Sequence, residues 1–579
     1  MPGVSDSQAQ PISRALIARL RRVLGEDAVL TRPAQLLPYE TDAMPLHQGR
    51  PGLVLLPAKT SQVVRTIKLL HDASVPWVPR GAGTGLSGGA VASASAAVLS
   101  VAKLRRVIQT DPARRRVRVE PGVVNLKLNE SLHCHGLHFA PDPSSQMAAT
   151  IGGNIAENAG GAHTLKYGVT SQHVLGLHLV LANGRALEIG GEEETMGGYD
   201  LMSFIVGSEG TLGLVADATL RLMPLPEATS TFMAVFASVS DASAAVGGIL
   251  REGVVPAALE MIDSVVLRTL EEVFHVGFPL DAGALLVGEI DGLRESVDAQ
   301  VRVVKQVLAS CGVTDVQFAQ TEKDREKLWE ARKKAFGALG RVAPNYISHD
   351  AVIPRSCLPE VLARIAQVAE RNDLRIANIF HAGDGNLHPA ILFDGADAEQ
   401  SRRAREAGEQ IMRICLEAGG VLTGEHGVGM SKRHAMRWVF TEAELELMDG
   451  LRRVFDPWRR VNPGKILPVL SSDRDLDNTD SDGVGRVRAA GQDLPGLLPD
   501  SKAENPAHDR NVPQPRRHLS TFERAVSDAI REAVRKREGV VPIGGGTLLM
   551  VPLVHAQQVR EAAGARDTGS GSAAPEETG

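Results

Sequence analysis

Cysteine is scarce in this chain of 579 residues: there are four, Cys134, Cys311, Cys357 and Cys415, far apart and with no CxxC spacing. Neither a disulfide framework nor a cysteine-held iron–sulfur cluster is expected, and a reducing, cytoplasmic setting is favoured. Aromatic residues are also few, with 13 Phe, 4 Trp and 4 Tyr. Basic residues are not in excess: 63 Lys and Arg face 69 Asp and Glu, for a net charge of −6. A general nucleic-acid binder is thereby disfavoured. The opening MPGVSDSQAQPIS has neither a basic n-region nor an apolar h-region, so no secretory signal is read. No run approaches the roughly 18 apolar residues of a membrane-spanning helix. Any membrane contact would be peripheral, through partner subunits.

Glycine, by contrast, is abundant at 58 residues, which suits tight turns and close backbone approaches. At roughly 100–200 residues per domain, the length predicts three or four units. Helical spacing over 12–24 marks an N-terminal helical segment, 1–38. Residues 39–225 alternate short Val/Leu runs with Gly-rich turns, with a helix at Val63–Leu70 and strands at 75–79, Ala97–Val101, Val117–Val119 and Val174–Ala182. A second α+β unit follows over 226–430, with helices at 323–339 and 358–370 and strands at Ala284–Ile290 and Arg375–His381. Residues 431–468 hold a helix near 441–455 and return to the first unit. The stretch 469–521 carries five Asp within 473–482 and repeated prolines, the composition of a disordered linker. Within 522–579, Phe522–Met550 slides by 463 positions onto Val63–Thr84: Val526 falls on Val63, Ile530 on Ile67, and Pro542, Gly544, Gly546 and Thr547 on Pro79, Gly81, Gly83 and Thr84. This is a truncated second copy of a helix–strand–glycine-loop unit, as in a fusion or its frame-disrupted remnant; chance resemblance is the alternative.

Three glycine-rich segments suggest a ligand. Pro79-Arg80-Gly81-Ala82-Gly83-Thr84-Gly85-Leu86-Ser87-Gly88-Gly89 contains GxGxxG but opens no helix and lacks an acidic residue about 20 positions on, so it is not a Rossmann fingerprint. A loop whose backbone N–H groups face a pyrophosphate fits better; a plain Gly-rich connection is the alternative. Pro141-Asp142-Pro143-Ser144-Ser145 leads into Thr150-Ile151-Gly152-Gly153-Asn154-Ile155-Ala156-Glu157-Asn158-Ala159-Gly160-Gly161. Gly207-Ser208-Glu209-Gly210-Thr211-Leu212-Gly213 is the third. Together they exceed what turns alone require and permit the chain to lie along a large flat ligand.

A second signal is Phe380-His381-Ala382-Gly383-Asp384-Gly385-Asn386-Leu387-His388 between apolar runs. A two-residue Asp-Gly turn would pair His381 directly with His388, their Cβ atoms about 4.5–5.5 Å apart. Thr423-Gly424-Glu425-His426-Gly427 would supply a third ligand, Glu425, while His426 faces a substrate. Two His and one carboxylate suit zinc, and also iron or manganese. Surface histidines on an ordinary hairpin are the alternative.

From about Tyr39 to Pro468 these segments resemble the vanillyl-alcohol oxidase/p-cresol methylhydroxylase flavoprotein superfamily. Within it the chain is similar to the group of the glycolate oxidase catalytic D-subunit, D-lactate dehydrogenase and D-2-hydroxyglutarate dehydrogenase. The resemblance implies an α+β fold: a two-part FAD-binding domain with an inserted substrate (cap) domain, plus here a disordered C-terminal extension. It implies that Pro79–Gly85, Ser87, Gly88, Pro141, Asp142, Ser144, Ser145 and residues of Thr150–Gly161 hold FAD, with Glu209, Gly210, Gly213, Val215 and Asn462 completing the pocket. The glycine loop has no His or Cys to bond flavin, so non-covalent FAD is expected. It further implies His381, His388 and Glu425 as metal ligands, His426 as catalytic base and Arg332 as the cation for a substrate carboxylate. Where some relatives carry a Lys, this chain has Ser348-His349-Asp350, which favours glycolate or D-lactate over the diacid D-2-hydroxyglutarate. The implied partners are a second FAD-domain subunit and an iron–sulfur subunit. A non-catalytic electron-relay subunit is the competing function.

Overall fold

A computed structural model describes residues 11–470 except 45, 192–198, 276–278 and 280. The second glycine-loop copy and all but the first two residues of the expected linker lie outside these residues. Strands β1 (Val29–Leu30), β2 (Leu53–Leu55), β3 (Trp77–Arg80) and β4 (Ala97–Ser100) form a sheet of order β1-β2-β4-β3. β2, β4 and β3 run parallel, so β2 must cross over to β3. The helix Thr60–Asp72 makes that crossover, burying Val63, Ile67 and Leu70 (i, i+4, i+7) against Leu53, Leu55, Trp77 and Leu99. The glycine-loop region 81–96, between β3 and β4, contains no helix.

An antiparallel sheet follows, of β5 (Val107–Asp111), β6 (Arg116–Val119), β8 (Val174–Val180), β9 (Ala186–Gly190) and β10 (Leu214–Arg221), ordered β5-β6-β10-β8-β9, while β7 (Leu137–His138) pairs with β11 (Met223–Pro224). The chain rejoins this region late. Residues 460–462 run beside β3, where Trp77 N donates to Arg460 O and Asn462 N to Trp77 O. Part of Thr150–Gly161 is helical, Ile151–Glu157, because the Thr150 hydroxyl caps it by accepting from Gly153 N.

The third sheet is antiparallel: β12 (Ala228–Phe236), β13 (Ala258–Asp263), β14 (Ala284–Gly292), β15 (Val313–Phe318), β16 (Asn345–Ser348), β17 (Ala351–Val352), β18 (Arg375–His381) and β19 (Asn386–Phe393). The order is β15-β12-β14-β13-β18-β19-β16, with β17 also on β19. Its two faces follow the period of two. Phe232, Ala234, Phe236, Leu286 and Met261 face four helices, Val239–Arg251, Arg294–Ser310, Leu358–Arg371 and Ala398–Glu417. Met233, Val235, Leu285, Val287, Ile379 and Leu392 face the helices Ser264–Phe274 and Glu322–Val342. Continuing that second face by steps of two reaches Thr231, Glu289, Asp291, Glu260, His381 and His388, all buried. One row of side chains is therefore core at one end and polar at the other.

The hairpin register differs from expectation. His381 pairs with Asn386, and His388 with Ile379, across a four-residue loop. Gly383 is not free to close a two-residue turn, since its N–H donates to Leu259 O on β13 and its carbonyl accepts from Arg355 Nη1. Gly385, at φ 82°, closes the loop by donating to His381 O. The shift is an even number of residues, so both histidines stay on one face.

Three ties join the segment 163–167 to β14. His163 Nδ1 lies 2.7 Å from Asp142 and its Nε2 3.3 Å from Glu289; Lys166 pairs with Asp291, and the Tyr167 hydroxyl donates to Asp291 at 2.6 Å. Glu289 also accepts from Arg325, Trp329 Nε1 and Thr231 Oγ1. Burial pushes the Glu289 pKa up, but the His163 and Arg325 hydrogen bonds and charges outweigh it and hold it far below 4.5. Burial lowers the His163 pKa, yet Asp142 and Glu289 carry it well above 6.5. We expect Glu289→Gln to cost about 3 kcal/mol at pH 7, because the Arg325 and His163 charges lose their buried partner. Glu289 binds its proton more weakly folded than unfolded, so its contribution is complete above about pH 4.5 and fades as pH falls below that. His163 has the opposite sign: its contribution is complete below about pH 6.5 and fades as pH rises through its raised folded value. Urea unfolding of wild type and variant at pH 7 and pH 4 checks this, the gap between them narrowing at pH 4.

Candidate functional site

The glycine segments and the polar end of the third sheet enclose a cleft of about 1190 Å³. Of the residues expected at a cofactor, Pro79–Gly85, Asp142, Ser144, Ser145, Thr150, Gly152, Gly153, Asn154, Ala156, Gly161, Glu209, Gly210, Gly213 and Val215 line it. Gly83 has φ 75°, and a Cβ there would run into the Arg80 guanidinium, which braces the loop from beneath by donating to Pro38 O and Ala90 O. This glycine wall is what a large planar ligand with a phosphate tail requires.

Six expected residues sit behind the wall instead. Ser87 O accepts from Met430 N and Ser431 N; Gly88 abuts His47; Pro141 O accepts from Asn125; Asn158 ends the helix Ile151–Glu157 at φ 53°; Gly160 backs onto Thr164; and Asn462 donates to Gly89 O and Glu209 O. Glu209 touches the cleft, but both its carboxylate oxygens accept backbone N–H groups, from Val428 and Gly429 at 2.7 Å each.

His381, His388 and Glu425 converge in the cleft wall, with one ligand atom from each within 4.8 Å of the others. His381 Nε2 is 3.4 Å and His388 Nε2 3.3 Å from Glu425 Oε1. Donors bonded at about 2.0–2.1 Å to one tetrahedral ion stand about 3.3 Å apart, so the set fits a metal such as zinc. The electrostatics agree. Burial disfavours charge on His381, but Glu260 and Glu425 hold its pKa well above 6.5. Burial likewise raises Glu425, yet the two imidazoles hold it well below 4.5. The Glu260 and Glu425 carboxylates favour positive charge here, and His381 would give up its proton to ligate an ion.

Glu260 was not legible as a site residue, because sequence does not reveal that β13 lies beside β18. It stands directly opposite His381 in the sheet, and its Oε1 is 2.5 Å from His381 Nδ1. A carboxylate there fixes the tautomer and ring orientation of a ligating histidine. Its other oxygen accepts from Arg332 Nε at 2.6 Å. Arg332 is thus paired across the fold rather than exposed along its own helix, and its side chain lines the cleft. Arg325, Trp329, Arg332 and Phe336 share one face of the helix Glu322–Val342, whose Thr321 cap accepts from Asp324 N. The same wall carries Phe336 and Tyr346, stacked at 6.1 Å, together with Phe393, Lys333, Asn345 and Ser348.

His426 also lines the cleft and stacks on His388, centroids 4.9 Å apart and planes 11° apart. Burial lowers its pKa to about 4, against the opposing charge of Asp350. Burial thus favours its neutral form, the form that can accept a proton. Among the described residues no helix is long and apolar enough to cross a membrane.

Residues 51–190 match the FAD binding domain family, and residues 225–466 match the C-terminal domain of FAD linked oxidases. The chain is 42% identical over 442 residues to glycolate oxidase subunit GlcD of Escherichia coli (strain K12), covering 76% of this chain and 89% of that one. It is 36% identical to glycolate oxidase subunit GlcD of Bacillus subtilis (strain 168), covering 79% and 97%, and 32% identical to D-lactate dehydrogenase of Archaeoglobus fulgidus, covering 72% and 92%. Its fold is similar to that of p-cresol methylhydroxylase, with a TM-score of 0.67 at 18% identity over 78% of this chain and 96% of that one.

Proposed function

This chain belongs to the FAD-linked oxidase family, and from that membership we propose that it oxidises a small D-2-hydroxy acid, glycolate or D-lactate, to the 2-oxo acid. The proposal includes non-covalent FAD and a divalent ion, zinc before iron or manganese. The observation that carries it is the His381–His388–Glu425 donor set beside a neutral His426, in the wall of the glycine-lined cleft. When bound, FAD supplies a hydride acceptor at N5, and the ion supplies a Lewis acid that favours loss of the substrate's hydroxyl proton.

The chain's own residues do the rest. His381, His388 and Glu425 would hold the ion, with Glu260 orienting His381. Arg332 grips the substrate carboxylate through its terminal nitrogens, its Nε being bonded to Glu260. His426 takes the hydroxyl proton, and the carboxylates of Asp350 and Glu425 stabilise the imidazolium formed. The C2 hydrogen leaves as hydride, and the 2-oxo acid departs. Ser348 lines the cleft without adding a cation at that place, which supports a small monocarboxylate over D-2-hydroxyglutarate. Two of the relatives are subunits of a glycolate oxidase. This supports electrons passing to a partner, a second FAD-domain subunit and an iron–sulfur subunit, or to a quinone, rather than to NAD. Flavin bleaching by a panel of D- and L-2-hydroxy acids, with and without chelator, tests the reading. We expect bleaching by glycolate and D-lactate that chelator abolishes. No bleaching or turnover with FAD and Zn²⁺ both loaded would instead favour an electron-relay subunit.

A further inference from the structure

Glu425 and His426 lie on an irregular segment with no helix or strand ladder to fix it. What holds it is a buried carboxylate from outside the segment. Asp350 is 1% exposed, and its oxygens accept from Gly424 N at 2.7 Å, Glu425 N at 3.2 Å, His426 N at 3.1 Å and Thr423 Oγ1 at 2.6 Å. Lys432 Nζ stands 3.3 Å from the same carboxylate and also donates to the Asp350 carbonyl. Past Gly427, the N–H groups of Val428 and Gly429 go to Glu209. Backbone donors curled round an anion form a nest, and here the anion is part of the protein. Asp350 Oδ1 also lies 3.9 Å from His388 Nδ1, a buried nitrogen without a hydrogen bond.

We propose that Asp350 is a positioning residue: by gathering the N–H groups of residues 424–426 it fixes where the Glu425 carboxylate and the His426 ring stand, and so sets both metal affinity and turnover. Asp350 does not line the cleft, so it acts through the loop. This rests on the function proposed above. It departs from reading Ser348-His349-Asp350 only as the place where a substrate lysine is missing.

The test is Zn²⁺ alone titrated by calorimetry into chelator-treated, FAD-loaded full-length protein, alongside steady-state oxidation of the hydroxy acid that bleaches the flavin. Asp350→Asn keeps the shape but removes the charge and turns an N–H₂ towards the nest. It should weaken Zn²⁺ binding by about 10–100-fold and lower kcat similarly, with KM and FAD content within about twofold of wild type. General loosening of the fold would instead lower FAD content. Should Asp350→Asn fail to fold, Thr423→Val removes one donor and should weaken Zn²⁺ binding by about 3- to 10-fold, while Thr423→Ser, which keeps the hydroxyl, regains most of it. Wild-type Zn²⁺ binding that is equally tight in Asp350→Asn and Thr423→Val overturns this proposal alone. Wild type that binds no Zn²⁺ overturns the metal reading and this proposal with it.

Discussion

His426→Gln should lower kcat for 2-hydroxy-acid oxidation by about 10²–10⁴-fold, the usual contribution of a positioned general base, while FAD and Zn²⁺ remain bound. Glutamine keeps the volume and much of the stacking surface against His388 but has no proton-accepting nitrogen. The change leaves His381, His388 and Glu425 in place, so the ion should still bind with near wild-type affinity. Stopped-flow reduction of the bound flavin isolates the step: its rate should fall with kcat, and the amplitude should remain. A variant that loses metal, or one that reduces flavin at the wild-type rate, would show that His426 is not the base.

His388→Ala is expected to act differently. It removes one of three donors from a buried site and leaves Glu425 facing His381 alone. The loss in Zn²⁺ affinity should exceed the roughly 10–100-fold typical of outer-shell changes, leaving the purified protein with little metal. Turnover should fall with it, and FAD should stay, because no cofactor-facing glycine is touched. Elemental analysis together with the flavin absorbance separates the two variants: metal kept and turnover lost for His426→Gln, metal and turnover both lost for His388→Ala. Retention of a full equivalent of Zn²⁺ by His388→Ala would remove His388 from the ligand set.

The local elements were legible where one physical signal dominated. The helix Thr60–Asp72 and the strand Arg375–His381 follow from the spacing of their apolar residues. The glycine segments were read as a ligand wall because small residues serve little else at such density, and most of them line the cleft. The hairpin was read with the right face but the wrong partner. Asp-Gly signals a turn, but Gly383 is drawn onto Leu259 of β13, 124 residues earlier in the chain. Glu260 and the Glu289 network were illegible for the same reason: their roles depend on which strands lie side by side. Asp350 was noticed only as part of Ser348-His349-Asp350, where some relatives carry a lysine and this chain does not, since gathering N–H groups leaves no mark on residue spacing.

The segment that bears Glu425 and His426 is grasped from two sides, by Asp350 beside β16 and by Glu209 from the glycine-rich region. Add the rivets from His163, Lys166 and Tyr167 to β14, and the walls of the cleft are bolted to each other. Opening it like a jaw would break these ion pairs and hydrogen bonds together, so the walls are expected to stay joined while reactant enters and product leaves.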